Sequence, residues 1–264
     1  MSATPSTVSR PNNFPAVVLV HGAWHGAWCW QRVLPLLQAE GLSAHAVTLT
    51  GVGDRAHLLS EHIRLSTHVA DVLGLIDSLE LERVLLVGHS YGGMVVTGVA
   101  DALLRRTKQA PVIHGMVYVD AVTPHPGESW SSQHARETIA SRLKLVAEQG
   151  GGVGMPPPDA SVFGLQGEAR DWVNRRQTPH PVSVYQDPLW FDAQALAALP
   201  RWFIDCTTPA LPTIDVMRQR VRSEPGWRVL EMRTGHDPMV SEPRGLARYL
   251  AQAAGLPASG ESVA

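Results

Sequence analysis

The sequence predicts an α/β protein whose mostly parallel, doubly wound sheet carries a helical insertion. Three observations lead there. Short continuous apolar runs at 16–20, 84–87 and 116–119 are what parallel strands buried on both faces require. Between such runs, apolar residues return at three- and four-residue spacing, the period of a helix with one buried face. The alternation stops at 121, gives way to irregular sequence as far as about 185, and then resumes.

In chain order, a polar leader at 1–15 lacks the apolar core of a signal peptide. The first strand, 16–20, runs into His21-Gly22-Ala23-Trp24-His25-Gly26, where two glycines allow a tight backbone path. Trp30, Val33, Leu34 and Leu37 then mark one helical face, closed by Gly41. A strand over 44–49 and a turn over 50–54 precede a helix carrying Val69, Val72, Leu73 and Ile76, with Ser66 or Thr67 as its N-cap. Strand 84–87 meets Gly88-His89-Ser90-Tyr91-Gly92, and a helix opens on the small residues that follow. Strand 116–119 ends at Asp120. Inside the insertion, Trp130, Ile139, Leu143 and Val146 suggest helical pieces, whereas the glycines and prolines of 150–158 exclude a helix or a central strand. A strand at 202–204, a helix carrying Ile214, Met217 and Val221, a strand at 229–232, a turn at 234–237 and a helix over 246–254 complete the scheme.

A chain of 264 residues suffices for one sizeable core. The expected organisation is a single domain over 1–264, with core at about 15–121 and 186–255, a lid insertion at about 122–185, and flexible tails at 1–14 and 256–264. A net charge of −2 leaves no electrostatic footprint for nucleic acid or an anionic membrane. No run approaches the roughly 18 apolar residues of a membrane span. Cytoplasmic residence is the default expectation, and the expected partner is a small molecule. Composition does not fix an oligomeric state, a homodimer being the one considered. The two cysteines, Cys29 and Cys206, lie far apart and suggest neither a disulfide framework nor a zinc site.

The chemistry centres on Gly88-His89-Ser90-Tyr91-Gly92. A G-x-S-x-G between a strand and a helix is a nucleophile elbow, a turn so sharp that residues two before and two after the serine must be small. A serine hydroxyl is a poor nucleophile at neutral pH and needs a base, itself oriented by a carboxylate. His236 stands on the turn after the final strand, where such a base is expected. For the acid, the loop after 202–206 offers no carboxylate, so Asp120 at the end of the strand following the elbow helix is preferred; Asp205, Asp215 and Asp237 are the alternatives. The oxyanion of a tetrahedral intermediate needs two donors, expected from the backbone N–H groups of Tyr91 and Ala23. His21 and His25 lie four apart on a loop without H-E-x-x-H, so no metal site is proposed. Trp24 and Trp130 are candidate substrate-binding residues, and Phe163, Trp172 and Trp190 either line the same pocket or pack insertion against core.

Together, 18–30, 88–94 and Thr234-Gly235-His236 resemble the hydroxynitrile lyase/plant methylesterase branch of the α/β-hydrolase superfamily, in its bacterial esterase-like form. The resemblance spans roughly 16–250 and is weakest in the insertion. It implies an α/β-hydrolase fold, Ser90 and His236 as triad members, Ala23 and Tyr91 as the oxyanion hole, and no cofactor. Thr208 or Pro209 stands where the plant enzymes keep their aspartate, whereas Asp120 resembles the acid position of haloalkane dehalogenase and some lactone-hydrolysing relatives. Hydroxynitrile lyases of this type carry a lysine after the catalytic histidine and a threonine after the first histidine of the oxyanion loop. Here Asp237 and Gly22 occupy those positions, which disfavours cyanohydrin cleavage. A dehalogenase would need aspartate at position 90.

The expected activity is hydrolysis of a carboxylic ester or lactone through an acyl-enzyme on Ser90. The apolar lid favours an aromatic or medium-length apolar substrate over a sugar or a charged acid. A hydrolase-fold ligand receptor with slow turnover and an acyltransferase are the alternatives.

Overall fold

A computed structural model describes residues 14–107 and 110–257. The tails expected to be flexible fall almost wholly at 1–13 and 258–264, outside the described residues. Strand β1, Ala16–Val20, lies under both faces of the protein, with Val17 to Val20 fully buried, so its unbroken apolar run has a direct cause. Fully burying each such side chain contributes about 1.5–3 kcal/mol. Next come α1 (Leu34–Ala39), β2 (Ala44–Val47), α2 (Leu65–Ser78), β3 (Arg83–His89), α3 (Gly92–Leu104) and β4 (Val112–Val119). Between β4 and the next strand of the central sheet lie α4 (Arg136–Gln149), β5 (Gly154–Met155), α5 (Gly167–Asn174), β6 (His180–Pro181) and α6 (Ala193–Ala197). The chain ends with β7 (Arg201–Cys206), α7 (Asp215–Ser223), β8 (Trp227–Met232), α8 (Pro238–Ser241) and α9 (Pro243–Ala253).

The six-stranded sheet runs β2-β1-β3-β4-β7-β8, with every neighbouring pair parallel. Parallel order forces each connection to cross a face, which is why helices separate the strands. The order also brings the carboxyl ends of β1, β3 and β4 side by side, and loops carrying His21, Ser90 and Asp120 leave there. In the insertion, β5 and β6 pair only with each other, antiparallel. Among the described residues no helix is long and apolar enough to cross a membrane. Cys29 and Cys206 are both free and buried.

Three local expectations need correction. The spacing from Trp30 to Leu37 suggests one helix, but a 3-10 turn at Ala27–Arg32 precedes α1. Pro35 lies in the first turn of α1; without an N–H it suits a helix start and cannot extend the preceding turn. The N-cap of α2 is Arg64 rather than Ser66 or Thr67; Thr67 sits three residues inside and its hydroxyl accepts the Arg64 N–H at 3.1 Å. Trp130 lies in a turn before α4 instead of on a helix.

Candidate active site

Ser90 sits between the end of β3 and the start of α3 with φ of 52°, in the left-handed region that non-glycine residues rarely occupy. Such a conformation costs on the order of 1–3 kcal/mol and persists only where neighbours enforce it. Here the Ser90 N–H donates to the Val119 carbonyl at 3.2 Å, and the Ser90 carbonyl accepts from Gly93 and Val122 at 3.1 and 3.0 Å. The flanking glycines are required for space. A Cβ at Gly88 would lie 2.5 Å from the Gly92 carbonyl oxygen, and one at Gly92 would lie 2.7 Å from that of Val20.

His236 follows β8 on a loop held by two contacts: its N–H donates to the Phe163 carbonyl at 2.9 Å, and His89 Nε2–H donates to its carbonyl at 2.8 Å. Its Nε2 lies 3.0 Å from Ser90 Oγ, and its Nδ1 lies 2.7 Å from Asp120 Oδ2. An ionised carboxylate only accepts, so Nδ1 carries the proton and Nε2 is left to receive one from Ser90. Asp120 leaves β4 with φ of 42° and is fully buried.

The other carboxylates considered for this role point elsewhere. Asp205 and Asp215 accept from Arg218 Nε and Nη1 at 2.6 and 2.8 Å, while Arg218 Nη2 donates to the free oxygen of Asp120, Oδ1, at 2.7 Å. Arg218 therefore clamps the same carboxylate that meets His236. Sequence spacing gives no sign of this residue, since α7 reads as an amphipathic helix and the contact joins positions 98 apart. Asp237 pairs instead with His25, Nε2 to Oδ2 at 3.1 Å, with both groups buried.

That pair lies beneath the glycine loop after β1. Burial opposes charge on His25, but the charge and hydrogen bond of Asp237 outweigh it and raise the imidazole above its ordinary value; Asp237 is correspondingly lowered against its own burial. Charged His25 donates from both nitrogens, the second to the Ala23 carbonyl at 2.7 Å. His21, by contrast, is pushed by burial down to about 3 and is neutral. It accepts the Leu49 N–H at Nε2 and donates from Nδ1 to the Gly22 carbonyl at 2.7 Å. Because carbonyl and N–H oppose each other across a trans peptide, that bond turns the Ala23 N–H away from the His21 ring. A Cβ at Gly22 would stand 2.8 Å from the Ser90 Cβ, which measures how closely this loop approaches the elbow. Tyr91, at the start of α3, has a backbone N–H that the helix itself does not need. Its hydroxyl donates to His68 Nδ1 at 2.9 Å, and His68 Nε2–H donates to the Thr50 carbonyl. The i, i+4 histidines of the loop, for which the sequence suggests no metal site, thus hold its carbonyls.

His89, His236 and Asp237 bring three ligand-type atoms within 4.8 Å of one another. Both ring nitrogens of His236 already face Ser90 and Asp120, so an ion there would dismantle that chain of hydrogen bonds.

A cavity of about 300 Å³ opens onto Ser90 and His236. Trp24, Trp130 and Phe163 stand in its wall, the first two with ring centroids 5.9 Å apart. Trp24 is fixed by its indole N–H, which donates to the Met155 carbonyl at 3.0 Å. Trp172 and Trp190 do not belong to this wall. Trp172 packs on Trp28 and under Arg32, and Trp190 lies 72% exposed against Gly127.

A sequence model of the alpha/beta hydrolase family matches residues 17–249. The chain is 38% identical over 242 residues to the carbendazim hydrolyzing esterase of Nocardioides sp. (strain SG-4G), a match covering 89% of this chain and 97% of that one. It is 27% identical to methylesterase 2 of Arabidopsis thaliana, covering 88% and 93% respectively. An extracellular alpha/beta-hydrolase from a Paenibacillus species has a similar fold, with a TM-score of 0.76 at 20% identity, over 91% of this chain and 99% of that one.

Proposed function

From the premise that this chain belongs to the alpha/beta hydrolase family and is a carboxylester hydrolase, we propose that it cleaves an ester or lactone with an apolar or aromatic body through an acyl-enzyme on Ser90. The observation that carries this reading is the continuous chain Ser90 Oγ, His236, Asp120 at 3.0 and 2.7 Å, opening onto an aromatic-walled cavity.

In the acylation step His236 Nε2 takes the Ser90 proton as Oγ attacks the ester carbon, and the imidazolium that forms is stabilised by Asp120. The backbone N–H groups of Ala23 and Tyr91 receive the negative charge on the carbonyl oxygen. The C–O bond to the alcohol then breaks, and His236 returns the proton to that oxygen. Water enters, gives a proton to His236 and attacks the acyl carbon; the bond to Ser90 Oγ then breaks, His236 returns the proton to Oγ, and the acid leaves. The overall change is ester plus water to acid plus alcohol. Arg218 holds the Asp120 carboxylate so that its other oxygen stays on Nδ1.

The test is a panel of p-nitrophenyl esters of graded chain length beside lactones and methyl esters, run with wild type and Ser90→Ala. Repeated turnover that the substitution abolishes supports the reading. An alcohol acceptor that diverts most product into transfer would replace hydrolysis with acyl transfer.

A further inference from the structure

We propose that the cavity over Ser90 selects esters whose apolar body also carries a carboxylate, and that Arg142 receives it. This deepens the ester-hydrolase reading and rests on it.

Helix α4 presents Arg142, Leu145 and Gln149 to the cavity, positions three and seven apart and therefore on one face. The other walls are apolar or neutral: Trp24, Trp130, Met155, Phe163 and three consecutive prolines. Among the described residues no aspartate or glutamate lines the cavity, and Arg142 is the one permanently charged side chain there. The guanidinium lies 5.4 Å from the Trp130 ring, 5.3 Å from that of Tyr185 and 6.0 Å from that of Trp24. Its polar contacts are neutral: His134 Nδ1 at 3.4 Å, which also meets the Tyr185 hydroxyl at 2.7 Å, and the Tyr185 hydroxyl itself. Burial, and then the charge of Arg142, push His134 down to about 4, so this neighbour is neutral. Among the described residues Arg142 has no carboxylate partner.

Arg170, Arg218, Arg220 and Arg222 are all paired with acids of this chain. Arg32, Arg64 and Arg201 have no acid partner among the described residues either, but they donate to backbone carbonyls; Arg142 differs from them in facing the cavity over Ser90. Aromatic faces attract a guanidinium but leave its in-plane N–H groups free, and those match a carboxylate's two oxygens. Weakly polar walls let the charge act at longer range, raising the local concentration of anions. Trp24 and Trp130 retain their part as walls for the apolar body, and the departure from the uncharged substrate that the apolar insertion suggests in sequence is one anionic group on that body.

Two matched ester pairs test this: mono-(4-nitrophenyl) glutarate against its terminal carboxamide, and 4-carboxyphenyl butanoate against 4-carbamoylphenyl butanoate. They place the charge on the acyl and the alcohol side respectively. In wild type the carboxylate member of at least one pair should have the higher kcat/KM, by about 10- to 100-fold as expected for a hydrogen bond to a charged group. Arg142→Gln should bring that ratio to near one, and Arg142→Lys should keep part of it. The ratio is read within one variant, so a general loss of folding or activity cancels. Equal rates for both members of both pairs, or a preference that survives Arg142→Gln, would overturn the proposal. Turnover of p-nitrophenyl butanoate but of none of the four esters would also overturn the proposal, whereas no turnover of any of the five would sink the acyl-enzyme reading on which it rests.

Discussion

Replacing Asp120 by Asn removes one charge and, through Arg218, dictates how the new amide must sit. In the native protein Asp120 Oδ1 accepts from Arg218 Nη2 and Oδ2 accepts from His236 Nδ1, each at 2.7 Å. An asparagine has one acceptor oxygen and one NH₂ group. Arginine offers only donors, so the amide oxygen goes to Arg218 and the NH₂ group faces the imidazole. His236 must then present a lone pair at Nδ1, which places its proton on Nε2, facing Ser90. That tautomer cannot accept the serine proton. On the triad template such an inversion lowers kcat by about 10⁴, close to 5.4 kcal/mol of barrier at about 1.36 kcal/mol per decade. The assay is steady-state hydrolysis of the best ester of the panel, with circular dichroism to establish that the variant is folded. Adding Arg218→Met frees the amide to rotate its oxygen toward His236, so Asp120→Asn with Arg218→Met should recover part of the lost kcat. A folded Asp120→Asn enzyme within tenfold of wild type would refute the assignment of the acid, as would Asp237→Asn lowering kcat as far.

Further outcomes follow from the same contacts. Gly92→Ala should cost about 1–3 kcal/mol as overpacking, a Tm loss of about 2–12 °C, because its Cβ meets fixed backbone at Val20 and His21; unchanged melting would contradict the steric account of the elbow. Gly74→Ala, on an α2 position with open space around it, should instead add about 0.5–1 kcal/mol, read as a shift of the urea midpoint. The His25–Asp237 pair predicts a pH window for stability. Raised His25 contributes fully below the ordinary histidine value near 6.5 and loses its contribution as pH rises through its higher folded value. Lowered Asp237 contributes above the ordinary aspartate value and loses it as pH falls through its folded one. Wild type should therefore exceed Asp237→Asn by about 3–5 kcal/mol near neutrality, with the gap narrowing at both ends of the pH scale in urea titrations. A gap that does not change with pH would mean that the pair is not charged.

Much of this architecture is legible in the chain because the responsible forces are local. The run at 16–20 reads as a strand since burial on both faces leaves no room for polar residues, and Gly88 and Gly92 mark the elbow since side chains there would strike backbone. The ends of strands bring Ser90, Asp120 and His236 within hydrogen-bond distance, as their positions lead one to expect. What escapes the sequence depends on distant pairings. His25 meets Asp237 across 212 positions, and the rivals for the acid are separated only when Arg218 engages Asp205 and Asp215 and His25 engages Asp237. Aromatic identity also misleads, for Trp130 faces the cavity and Trp190 faces solvent, and nothing in a tryptophan states which side it will take.

Acylation of Ser90 can be trapped directly. Wild-type enzyme mixed with excess p-nitrophenyl ester and quenched in acid within the first turnover should release a burst of nitrophenol stoichiometric with enzyme. The acyl mass should then appear on the peptide containing Ser90 and be absent in Ser90→Ala. Steady turnover with no adduct on that peptide, or an adduct elsewhere that persists in Ser90→Ala, would contradict it.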